Sequence, residues 1–243
     1  MRKHFEVGET AVTILAEEAH IGVAETSIFR SREIIQRFIR HDPLFQATLE
    51  PYPCPDDAPE LIARMCRASA LAGVGPMAAV AGAIAERAVL DMRAAGATQA
   101  IVDNGGDLAL LLDREIEVGL YAGERIQGIG FACPPREGVF GICTSSATIG
   151  PSISFGASDA ATVIAADVTL ADACATRLGN LLTSDEEEIM RSALDDVCSI
   201  PGVEGALAVV GDRLAMKGRL PRLTRTEVPA GRIARIELPR RPG

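Results

Sequence analysis

The chain has 243 residues, enough for one large domain or two fused small ones with a real core. Its 48% hydrophobic and 23% charged residues are a globular composition; 4% aromatics, no Trp and a net charge of -9 argue against a nucleic-acid reader. Six cysteines (Cys54, Cys66, Cys133, Cys143, Cys174, Cys198) form no CxxC pair, so spacing argues against a zinc or iron–sulfur site, and Cys143 and Cys174 read as core.

The N-terminal apolar run is broken by charges, unlike a signal peptide or a lipoprotein leader. Residues 5–17 alternate as a strand or hairpin, and Ile34, Ile35, Phe38 and Ile39 then predict a helix over 31–40 with Ser31 as its N-cap. A connector punctuated by Pro51, Pro53, Pro55 and Pro59 follows, then a helix over 59–72 that stops at Gly73. After a Gly73-Val74-Gly75 hinge, Pro76 opens a long helix ending at Gly96. Its first half is almost all Ala and Gly, so another backbone can pack very close to it.

Residues 100–102, 108–112, 116–121, 128–133 and 139–144 predict strands of a meander, and 162–165 a further strand. Helices over 170–182 and 185–199 precede a hairpin of 205–210 and 213–217 around Gly211-Asp212. Each half therefore gives strands and helices in similar order, a duplicated α+β plan without a sequence repeat. Residues 219–243 read as a basic Pro/Arg-rich tail. No window reaches the length of a membrane helix, and free thiols fit a reducing compartment, so the expectation is a soluble cytoplasmic protein.

Three clusters carry chemistry. Asn104, Gly105, Gly106 and Asp107 are a hairpin turn by composition; as a binding element, the glycines expose N–H groups and Asp107 accepts hydrogen bonds from a ligand. Thr144, Ser145, Ser146 and Thr148 form a hydroxyl-rich turn, suited to phosphate oxygens or to capping. A second glycine-serine loop spans 150–158. Asp172 and Thr176 share one helix face, with Cβ atoms roughly 5–6 Å apart, and offer a hard cation a carboxylate and a hydroxyl. The alternative is an ordinary helix with Asp172 in its first turn. A serine nucleophile lacks its GxSxG, and His4, His20 and His41 lie far away in sequence.

In this order, Gly73–Gly82, Asn104–Asp107, Thr144–Ser146, Ser152–Gly156 and Ala171–Thr176 resemble the ApbE superfamily of FAD-dependent protein flavinyl transferases, most closely its small UPF0280-type branch. The resemblance implies an α+β, T-fold-like architecture of two fused halves around a central ligand cleft. Residues 1–218 would be one ApbE-like domain with halves 1–135 and 136–218. It also implies Mg²⁺ bridging a FAD pyrophosphate, with Asp172 and Thr176 as side-chain ligands and Ala175 and Gly75 as backbone ones. Asn104, Gly105, Gly106, Asp107, Thr144, Ser145 and Ser146 would line the nucleotide. The implied reaction passes FMN from FAD to a protein acceptor, or hydrolyses the pyrophosphate. The alternative is a non-catalytic flavin or small-molecule binder on the same fold, and a third is an assembly protein whose small-residue helix meets a second copy. The chain departs from the family pattern at Gly75-Pro76, where the transferases carry Lys-Gly, and at Ala147 and Pro151, where the branch carries Gly and His.

Overall fold

A computed structural model describes residues 1–7, 10–123, 125–146, 156–226 and 234–237. The chain opens with the hairpin β1 (Arg2–Val7) and β2 (Thr10–Ala16), followed by the helices α1 (Glu18–His41), α2 (Leu44–Ala47) and α3 (Glu60–Ala72). A single 3₁₀ turn over Pro76–Ala79 leads into α4 (Val80–Ala94). Strands β3 (Ala100–Asn104), β4 (Asp107–Leu112), β5 (Ile116–Ala122), β6 (Ile126–Cys133), β7 (Arg136–Ser145) and β8 (Ala160–Ala165) come next. Helices α5 (Val168–Leu181) and α6 (Glu187–Cys198) precede β9 (Val203–Val210), β10 (Arg213–Gly218), β11 (Arg222–Arg225) and β12 (Ala234–Glu237).

Eight strands form one antiparallel sheet in the order β1-β2-β3-β4-β7-β8-β9-β10. Period-two alternation divides their side chains between two cores. Val102, Ala109, Cys143, Val163 and Ala208 face the helices; Ile101, Leu110, Ile142, Ile164 and Val209 face a second sheet of order β11-β6-β5-β12. The result is three layers: helices, large sheet, small sheet. Hairpin–helices–hairpin occurs twice along the large sheet, as β1–β4 with α1–α4 and as β7–β10 with α5 and α6.

The structure departs from the sequence expectations at several places. Helix α1 begins at Glu18, and Ser31 is buried within it, not capping it; Ile21, Ala24, Ile28, Ser31 and Ile35 make one continuous buried stripe. The run of strands is no simple meander, because β5 and β6 leave the large sheet and β4 pairs directly with β7. The stretch expected as a tail contains two described strands: β11 pairs with β6 and β12 with β5, so the hairpin's two outer edges are covered. No single helix among the described residues is long and apolar enough to cross a membrane.

Candidate functional site

The small-residue start of α4 meets α5 at Gly82. A Cβ there would lie 2.7 Å from Asp172 Cβ and 2.8 Å from the Val168 carbonyl oxygen, so only glycine permits this approach. The first N–H groups of a helix lack partners within it, and Ala79 at the N-cap of α4 supplies no side-chain acceptor. Asp172, reaching across from α5, fills that role: the Gly82 N–H donates to its Oδ2 at 2.7 Å, and the Ala81 backbone adds a further bond. Asp172 is thus in the second turn of its own helix but at the N-terminus of its neighbour's.

The arrangement is reciprocal. Glu86, one turn beyond Gly82, is buried and accepts hydrogen bonds from Thr169 N at 3.2 Å and Thr169 Oγ1 at 2.6 Å, in the first turn of α5. Arg64 of α3 donates to Glu86 at 2.6 Å and to Asp167 at 3.2 Å, and Asp167 in turn caps α5 through Leu170 N. Burial raises the proton affinity of the Glu86 carboxyl, with the Asp167 charge adding to it, while Thr169 and Arg64 oppose the shift.

The third wall is the β3–β4 turn. Asn104 pairs with Asp107 across Gly105 and Gly106, whose φ values of +70° and +106° make this the two-residue turn for which paired glycines are suited. The turn leans on α4, since Asn104 Nδ2 donates to the Ala81 carbonyl at 3.1 Å. Asp107 begins β4 on its helix-facing side, opposite Cys143 of β7. Cys143 Sγ lies 3.6 Å from the Val168 carbonyl, so this face of the sheet abuts the start of α5.

Asp107 and Asp172 are therefore brought together. Burial, then the Asp172 and Asp103 charges, hold the Asp107 carboxyl well above its ordinary range, against the pull of Cys143 and the Thr144 backbone. Burial pushes Asp172 up to about 7, and the N–H groups of Gly82 and Ala81 limit the rise. Neither carboxylate has an ion-pair partner among the described residues. Two facing carboxylates without a cation favour sharing a proton or binding a hard divalent ion, so the donor set fits Mg²⁺. No group of three or more His, Cys, Asp or Glu among the described residues forms a metal cluster, and the remaining positions would have to come from hydroxyl, backbone, water or ligand oxygens.

Other expected site residues are placed differently. Thr144 ends the expected strand 139–144 and Ser145 extends it, so both belong to β7 and pair with β8 instead of turning. Thr144 Oγ1 lies 2.9 Å from Thr162 Oγ1 on the face turned towards the small sheet, away from Asp107. Ser145 alternates back towards the helices, and Ser146 is buried just beyond the strand. Ala147, Thr148, Gly150, Pro151 and the run 152–155 lie outside the described residues.

Thr176 is half-buried one turn beyond Asp172, and Ala175 is buried. Gly75 sits under the connector: a Cβ on it would be 2.1 Å from the Thr48 carbonyl oxygen, and its own carbonyl accepts from Ala78 N at 3.1 Å. It is Gly82, seven residues on, that the fold sets against Asp172. Sequence reasoning missed Gly82 and Glu86 as site residues. The available signal was their spacing of four, which puts both on one face, with Glu86 the first charge after the apolar run 80–85.

A family model described as AbpE bacteria matches residues 1–204. A UPF0280 protein of Methanocella arvoryzae is 51% identical over 238 residues, covering 97% of this chain and 96% of that protein. One from Methanosphaerula palustris is 46% identical over 241 residues, covering 98% and 99%. Among solved structures, the apo flavinyl transferase ApbE of Pseudomonas stutzeri superposes with a TM-score of 0.55 at 14% identity, covering 90% of this chain and 94% of that one. The ApbE protein of Thermotoga maritima gives 0.54 at 13% identity, covering 93% and 97%. At such identities the structural likeness is one of fold.

Proposed function

The chain belongs to the AbpE bacteria family, with the UPF0280 proteins as close relatives, and from that premise we propose that it is an Mg²⁺-dependent enzyme acting on the pyrophosphate of FAD. The observation that carries this reading is the Asp107–Asp172 pair, two facing carboxylates without an ion-pair partner among the described residues, set between a helix N-terminus and a glycine turn. Asp172, with Thr176 on the same helix face, would hold the cation, with Asp107 of β4 joining that set. A cation held there would neutralise charge on the pyrophosphate. Asn104, Gly105 and Gly106 present the turn's polar edge to the nucleotide, and Ser145 and Ser146 lie at the adjoining strand end.

An acceptor hydroxyl attacks the FMN phosphorus; its O–P bond forms as the P–O bond to AMP breaks, and the hydroxyl proton leaves to solvent. A serine or threonine of a protein acceptor gives an FMN-bearing protein, and water gives FMN. Such transfer depends on alignment and charge neutralisation more than on a protein nucleophile. The proposed setting is cytoplasmic.

Incubating the protein with FAD and Mg²⁺ should release AMP, and chelation or Asp172→Asn should lower the rate at least ~100-fold, as expected when charge stabilisation at the transition state is lost. A folded, Mg²⁺-loaded sample that releases no AMP, with or without hydroxyl-bearing acceptors, refutes catalysis. One observation favours the second reading, a non-catalytic flavin binder: residues 75–85 carry no Lys, Arg or His to meet a phosphate. Its signature is FAD binding without AMP release, unchanged by Asp172→Asn.

A further inference from the structure

Glu86 is a buried charge that the nucleotide reading leaves without a task. It is only 5% exposed, and three elements converge on it: α3 through Arg64, α5 through Thr169, and its own α4. The charged groups facing it are Arg64 and Asp167, which also pair with each other. Two rungs therefore join α4 to α5, Gly82–Asp172 and Glu86–Thr169. They lie ~6 Å apart along α4 and ~4.5 Å apart along α5, at 1.5 Å of rise per residue. A single rung leaves two helices free to pivot about it; two rungs fix both separation and angle.

We propose that Glu86 is a positioning residue for Asp172: by clamping Thr169 it sets the first turns of α5 on α4, and so aims the Asp172 carboxylate. The inference rests on Asp172 being the cation-binding carboxylate of the proposed function. A ligand must sit within about 0.5 Å of its productive place to bind well, and a helix is stiff over the single turn from Thr169 to Asp172. The same network satisfies the first N–H groups of α5 through Asp167 and Glu86, so α5 is held by its end as well as by its side.

The test compares wild type with Glu86→Gln, whose amide cannot accept from both Thr169 and Arg64 as the carboxylate does. Without any metal, hydrogen exchange of the Gly82 amide is followed by NMR against the Ala88 and Val89 amides of the same helix. With Mn²⁺ as the probe, the dissociation constant is measured by electron paramagnetic resonance. The expected result is exchange at Gly82 faster by about tenfold or more relative to the reference amides, and Mn²⁺ binding weaker by about tenfold, with the melting temperature measured alongside. Unchanged Gly82 exchange and Mn²⁺ affinity, with only a lower melting temperature, means that Glu86 is merely structural and overturns the proposal. If wild type binds no Mn²⁺, the proposed function fails instead, and the exchange comparison still decides the role of Glu86. If Glu86→Gln does not fold, Thr169→Val removes the Oγ1 bond to Glu86 and is read by the same two measurements.

Discussion

Replacing Gly82 by Ala sets two opposing effects against each other. In an open helix, Gly→Ala stabilises by up to ~1 kcal/mol, because glycine forfeits more backbone freedom on folding. At Gly82 the new Cβ meets Asp172 Cβ at 2.7 Å and the Val168 oxygen at 2.8 Å. Restoring ordinary contact requires α4 and α5 to part by roughly 1 Å. Overpacking of that kind costs about 1–3 kcal/mol. The separation also stretches the 2.7 Å bond from Gly82 N to Asp172, of a charged type worth about 1.5–3 kcal/mol when intact. The losses exceed the gain, so Gly82→Ala should destabilise by about 1–3 kcal/mol and lower the melting temperature by about 2–4 °C per kcal/mol for a chain of this size. Gly22 in α1 is the control: it is exposed, and nothing lies within 4 Å of an added Cβ. Gly22→Ala should stabilise by ~0.5–1 kcal/mol. Urea unfolding followed by circular dichroism, with calorimetry in parallel, measures both. A Gly82→Ala variant as stable as Gly22→Ala refutes the close-approach argument.

Asp172 provides a pH signature: its folded proton affinity exceeds that of the unfolded chain, so its contribution is fully present below 3.8 and lost as pH rises through about 7. With chelator present, Asp172→Asn should gain on wild type between pH 4 and 8, by at most ~4 kcal/mol, and a difference that is flat with pH refutes this. Asp196 has the opposite sign, because the Arg177 hydrogen bond lowers its folded value; that stability is present above the unfolded value of 3.8 and lost as pH falls through the lower folded one. The pair is partly exposed, so Asp196→Asn should cost only ~0.5–1 kcal/mol at pH 7, read from the urea midpoint, and a gap that does not shrink at all as pH falls below 3.8 refutes the ion-pair account.

Features that depend on local chemistry were legible in the sequence. Pro59 and Gly73 bound α3 as read, Gly73 taking φ +67°, and the glycines of 105–106 make their turn. The small-residue start of α4 was read as a close-packing surface, and the structure puts α5 against it at Gly82. Features set by distant partners were not legible. The first half of α1 hides its stripe among Gly22, Thr26 and Ser27, and only burial against α4 and the sheet resolves it. Residues 222–225 carry no strand signal strong enough to offset their arginines; their strand exists because β6 offers an open edge. Thr144 falls both in the expected strand 139–144 and in the hydroxyl-rich turn, because composition cannot tell on which face of a strand a side chain emerges, and one residue of register decides it. Two of the family departures, Ala147 and Pro151, lie outside the described residues.

The role of Asp172 taken alone is satisfied by structure. A carboxylate at a helix N-terminus gains about 0.3–2 kcal/mol from the dipole, and its bonds to Gly82 and Ala81 offset part of its burial. Capping of that kind requires one carboxylate and no more. Asp107 is different: it sits at the end of β4 facing the same space, and its charge opposes that of Asp172 without closing any helix end. For stability alone, an amide or an apolar side chain at 107 would serve better, because an unpaired like charge in a partly buried place is a net cost. The Cys143 and Thr144 hydrogen bonds offset only part of that cost, and a local rule broken at such cost marks a functional-site candidate. The functional argument therefore turns on Asp107 more than on the helix residue that the sequence first brought forward.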